Sequence, residues 1–104
     1  MRPARLVWRG VAFRRRRVEG LLEWRARVGP LTLSVWQFPD CKDWQAGVTV
    51  HGVPHDLQDD WCAKGKTPRA ALAKLPALLR RKARTAAAAD AAYAAADAAM
   101  WGLK

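Results

Sequence analysis

The chain has 104 residues, a formal net charge of +10, 51% hydrophobic residues and two cysteines, which fits one small domain with a modest core. No apolar run approaches a membrane span, and the basic opening segment lacks the apolar centre of a secretory leader. The expectation is therefore a reduced, cytoplasmic protein with no membrane partner. The charge is uneven, at +7 over residues 1–30, −4 over 31–63 and +7 over 64–104, a layout that points to a polyanionic partner.

Residues 1–20 read as a basic N-terminal arm. Pro3 and Gly10 weaken any helix, and Leu6, Trp8, Val11 and Phe13 show no consistent period. Arg14, Arg15, Arg16 and Arg17 form a run of like charges that resists packing into a core. Such a segment is expected to be flexible alone and ordered by a partner.

From Leu21 the pattern changes to a period of two. Leu22, Trp24, Ala26 and Val28 alternate with Glu23, Arg25 and Arg27, and after Gly29-Pro30 the residues Leu31, Leu33 and Val35 alternate with Thr32, Ser34 and Trp36. A two-residue loop sets Val28 against Leu31, Ala26 against Leu33 and Trp24 against Val35. Beyond the turn-rich stretch 39–43, Trp44, Ala46, Val48 and Val50 continue the apolar set, with Gln45, Thr49 and His51 on the other side. These runs predict three antiparallel strands with one apolar face and one basic-polar face. Residues 52–66 show no period and read as a long surface loop.

Thr67-Pro68 is the strongest helix start in the chain. Leu72, Leu75, Leu79, Ala83 and Ala86 then share one stripe, which is expected to cover the apolar face of the sheet. Pro76 is expected to kink or split that helix. The predicted fold is α+β: a three-stranded antiparallel meander covered by a C-terminal helix (β-β-β-α) over residues 21–85. Residues 86–104 are expected to be an Ala-rich helical extension, either a solvated tail or a docking element, with a homodimer through it as one partner expectation. Asp90 and Asp97 lack basic partners on their own helix, which makes the arm or a second subunit their expected counterpart.

No constellation supports catalysis. Cys41, His51, His55 and Cys62 are the residue types of a tetrahedral zinc site, but their spacing argues against one, and neither a metal nor a cofactor is expected. Asp56, Asp59 and Asp60 lie on one short stretch, and no phosphate-cradling Gly-rich motif or nucleophile elbow occurs. The remaining signal is basic and aromatic. Arg25, Arg27 and Trp36 project from the polar sheet face, Arg14–Arg17 lie in the arm, Lys64, Lys66 and Arg69 surround the helix start, and Arg80, Arg81 and Arg84 lie along the helix. Arg and Lys neutralise phosphates, and Trp stacks on or wedges between bases.

Three strands followed by a helix resembles, in topology, the sheet-reading DNA-binding domains of plant ethylene-response factors and the arm-site-binding domains of phage integrases. That resemblance implies that Arg25, Arg27 and Trp36 enter a major groove. The stretch from Lys64 to Lys74 is similar to the basic helix start of double-stranded-RNA-binding domains. The expected function is non-enzymatic nucleic-acid binding. The alternative is a small interaction module or inhibitor that binds a protein through Trp, Arg and the acidic loop; six Trp in the chain motivate it.

Overall fold

The N-terminal segment folds because of a two-residue turn. Arg9 and Gly10 both have positive φ, 49° and 79°, a conformation whose twist matches that of paired strands. In the computed structural model, which describes residues 5–18, 21–52, 62–85 and 90–103, this turn folds β1 (Leu6–Trp8) onto β2 (Val11–Val18). Leu6 stands opposite Phe13 and Trp8 opposite Val11. Residues 6–18 are thus sheet rather than a flexible arm.

Four further strands complete an antiparallel meander: β3 (Leu21–Val28), β4 (Leu31–Gln37), β5 (Trp44–Val50) and β6 (Cys62–Gly65). The sheet has six strands in sequence order and curls into a half-barrel, with a bent C-terminal helix beside it. The expected three-stranded sheet is therefore corrected to the middle of a six-stranded one. Two features hid the outer strands. The pleat sends alternate residues of Arg14–Arg17 to opposite faces, so a run that repels itself in a coil is tolerated in β2. Strand β6 is four residues long with a single inward apolar side chain, Ala63, too short to show a period. The register of β3, β4 and β5 follows the alternation: Val28 opposes Leu31, Ala26 opposes Leu33, and Trp24 opposes Val35, which in turn opposes Ala46.

The helical part begins as the residue types require. The Ala70 N–H donates to Thr67 Oγ1 at 3.1 Å, and Pro68 opens α1 (Pro68–Leu72) where its missing N–H costs nothing. The helix is interrupted at Ala73 and Lys74 and resumes as α2 (Leu75–Thr85). Pro76 has no N–H to give the Leu72 carbonyl four residues back, and its ring crowds that carbonyl. Leu72, Leu75 and Leu79 pack with Leu31, Leu33, Val35 and Ala46, all essentially inaccessible to water. Each such leucine contributes on the order of 1.5–3 kcal/mol by burial. Trp24 joins this core with its ring 5.7 Å from that of Trp44 at 59°.

The Ala-rich extension is not a solvated tail. It forms α3 (Asp90–Trp101), whose Tyr93, Ala96 and Met100 are buried in the same core. That stripe is thus covered within the chain. Asp97 finds its partner on α2, where Arg80 Nε donates to Asp97 Oδ2 at 3.5 Å. The counterpart seen for Asp97 is thus the neighbouring helix, which the sequence reading did not name. The 53–61 stretch, including His55, Asp56, Asp59 and Asp60, lies outside the described residues.

Candidate nucleic-acid interface

The helices take one face of the sheet and leave the other open among the described residues. Antiparallel register arranges that open face in rows running across the strands. One row is Arg16, Glu23, Trp36, Gln45 and Lys64; the next is Arg14, Arg25, Ser34, Gly47 and Cys62; a third is Arg27, Thr32 and Thr49. Arg14, Arg16, Arg25 and Arg27 therefore converge from β2 and β3, all exposed. Two of them, Arg16 and Arg25, flank the carboxylate of Glu23, which is 9% exposed. Glu23 Oε1 lies 3.0 Å from Arg25 Nε and 3.9 Å from Arg16 Nε. Glu23 was not singled out from the sequence, although its i, i+2 spacing to Arg25 places both on one face.

The ladder between β2 and β3 runs from Val18–Leu21 to Arg14–Arg25. Beyond that pair β2 turns to β1 and β3 continues with β4. A groove of about 760 Å³ opens there, lined by Arg14, Arg16, Arg25, Arg27 and Thr32 together with Ala12, Arg15 and Ala26. Arg27 Nε donates to the Gly29 carbonyl at 3.4 Å, and Thr32 Oγ1 shares a 2.7 Å hydrogen bond with His51 Nε2. The groove is thus rich in guanidinium donors, two of which pair with the neighbouring Glu23 carboxylate.

The other sequence-predicted residues are distributed as follows. Trp36 is half-buried on the open face, opposite Glu23 and Gln45. Trp8 and Phe13 lie in the core. Arg15 stands across from Trp24 and Arg17 across from Leu22, which puts both on the apolar side of the sheet, where they are exposed. Lys64 joins the open face from β6, a placement that the loop reading of residues 52–66 missed. Lys66 and Arg69 are exposed around the start of α1, on the helical side of the sheet. Arg80, Arg81 and Arg84 belong to α2 on that same side, so the structure does not unite them with Arg25 and Arg27. Arg80 is moreover engaged, with its guanidinium 4.1 Å from the centre of the Trp101 ring and its Nε on Asp97.

Of the zinc set, His55 lies outside the described residues, and Cys41, His51 and Cys62 do not form a metal-holding group. Cys41 and Cys62 are free and exposed, and His51 is bonded to Thr32. No group of three or more His, Cys, Asp or Glu side chains among the described residues has the arrangement of a metal site. Among the described residues no helix is long and apolar enough to cross a membrane.

Compared with protein-family models, with curated proteins and with solved structures, the chain matches none. The six-stranded sheet also removes the three-strand topology on which the likeness to sheet-reading DNA-binding domains stood.

Proposed function

We propose that this is a small non-enzymatic protein of the cytoplasm that binds nucleic acid through its open sheet face. The observation that carries the reading is the convergence of Arg14, Arg16, Arg25 and Arg27 on one groove, with the Glu23 carboxylate paired to Arg16 and Arg25 beside it. Guanidinium groups bind phosphate oxygens in bidentate fashion and release counterions as they do so. Thr32, Ser34, Thr49 and Gln45 beside them supply neutral hydrogen-bonding groups for sugars and base edges. The two exposed thiols suit a reducing compartment.

A salt-titrated binding assay on the full chain tests this. The logarithm of the association constant should fall against log salt with a slope of about −0.9 (duplex) or −0.7 (single strand) per phosphate contacted. Replacing Arg25 and Arg27 together by Ala should flatten the slope by about two contacts. No measurable affinity for DNA or RNA at low salt overturns the reading. A stoichiometric protein partner that survives nuclease treatment would favour the interaction-module alternative.

A further inference from the structure

We propose that the occupant of the open face is a single strand, with its phosphates along β2 and β3 and its bases lying across β4 and β5. This deepens the nucleic-acid reading and rests on it.

Three features carry it. The first is width. Five strands, β2 to β6, carry the cross-strand rows, and at about 4.8 Å per spacing they span about 19 Å. The major groove of a DNA duplex is about 12 Å wide, too narrow for that sheet to enter. Trp36 sits on β4, with strands on both sides of it, where paired bases are out of reach and the bases of an open strand are not.

The second feature is the layout of charge. Four of the cations on this face belong to β2 and β3, while Thr32, Ser34, Trp36, Gln45, Gly47 and Thr49 occupy β4 and β5. Same-face residues recur about every 6.6–6.8 Å along a strand, close to the separation of neighbouring phosphates in an extended chain. Arg14 with Arg16, and Arg25 with Arg27, therefore match consecutive phosphates of one backbone. The neutral strip beside them offers a ring for stacking and hydroxyl and amide groups for base edges.

The third feature is what lies behind the sheet. A duplex presents a second phosphate row, and the basic groups of the helical part, Lys66 and Arg69 at α1 and the cluster on α2, lie on the opposite side and cannot clamp it. The single Lys64 at the far edge is no equivalent of the arginine groups.

The test compares a labelled oligothymidine and an oligouridine with a hairpin duplex of equal phosphate number, by fluorescence anisotropy with the full-length protein at low salt. At least one single strand should bind about tenfold or more tightly than the duplex. Trp36→Ala should weaken single-strand binding about tenfold with an unchanged salt slope, and Trp36→Phe should restore much of it. Circular dichroism of both variants separates lost contact from lost fold, and Trp36→Phe keeps the test decisive if the Ala variant unfolds. A duplex that binds as tightly as either strand, or a wild-type affinity in a folded Trp36→Ala variant, overturns the inference and leaves the nucleic-acid reading standing. Absence of binding to all three probes overturns both.

Discussion

Arg14 and Arg25 stand directly opposite each other on the open face, two like charges at the mouth of the groove. Directly opposed like charges destabilise a sheet by about 0.2–1 kcal/mol, and a fold under selection for stability alone has no reason to keep them. Glu23 offsets the Arg25 charge, and Arg14 has no recorded partner among the described residues. Arg14→Thr should therefore stabilise the protein by about 0.2–1 kcal/mol in urea denaturation. The same change should lower nucleic-acid affinity and remove about one phosphate contact from the salt slope. A loss of stability with unchanged binding would count against both expectations.

Glu23 holds Arg16 and Arg25 together from a nearly buried position. Glu23→Gln keeps the shape and removes the charge. It should cost about 1–2 kcal/mol of stability, since the Arg16 and Arg25 guanidinium groups then lose the charge that pairs them. Binding of a polyanion at low salt should become tighter, because one repulsive charge is gone from beside the arginines. Thermal denaturation and anisotropy on one sample read the two opposite shifts, and both should shrink at high salt.

Gly65 is required by packing rather than by backbone conformation. A Cβ there would meet the Ala71 nitrogen, with Ala70 C at 2.7 Å and Ala70 Cβ at 2.9 Å. Gly65→Ala must push α1 away from β6 and should cost about 1–3 kcal/mol. Gly10→Ala meets no atom within 4 Å, but φ is +79° there. Its cost of about 1–2 kcal/mol should come from the turn alone. Urea denaturation of each variant measures both.

The C-terminal helix is part of the core. Met100→Ala should destabilise by about 2–5 kcal/mol, as deletion of a fully buried side chain does. Asp97→Ala breaks the pair with Arg80 and should cost about 0.5–1 kcal/mol. Neither change should alter the salt slope of nucleic-acid binding, because both lie behind the sheet. A changed slope in the folded Asp97→Ala variant would show that the helical side also contacts the ligand.

The middle of the fold was legible because Leu22–Val28, Leu31–Trp36 and Trp44–Val50 each alternate, and Gly29-Pro30 supplies a turn with positive φ at Gly29. The Thr67-Pro68 start and the break ahead of Pro76 were legible for equally local reasons. Strands β1 and β2 were not, although Leu6 and Trp8 mirror Val11 and Phe13 about Arg9-Gly10. The signal was present, but a non-glycine residue at positive φ and four consecutive arginines obscured it. The docking of α3 was hidden because alanine carries little hydrophobic pattern, so Tyr93, Ala96 and Met100 declare themselves a core stripe only against the sheet. At the site, Arg25, Arg27 and Trp36 could be placed on one face, whereas Arg14, Arg16 and Lys64 required the pairing of β2 and β6. Nothing in the linear order shows that the basic segment of α2 lies on the far side.

Four identical neighbours also make β2 blind to its own position. Slide Arg14–Arg17 by one residue and the groove still receives two arginines, but Phe13 swings from the interior to water. The run therefore supplies cations in either frame and alignment in neither; alignment comes from Arg9-Gly10 at one end and the Val18–Leu21 pair at the other. A one-residue insertion within the run should leave the charge of the groove nearly intact and unseat the hydrophobic anchor. Length between the Arg9-Gly10 turn and the Val18–Leu21 pair, more than the identity of any one arginine, is what this strand cannot vary.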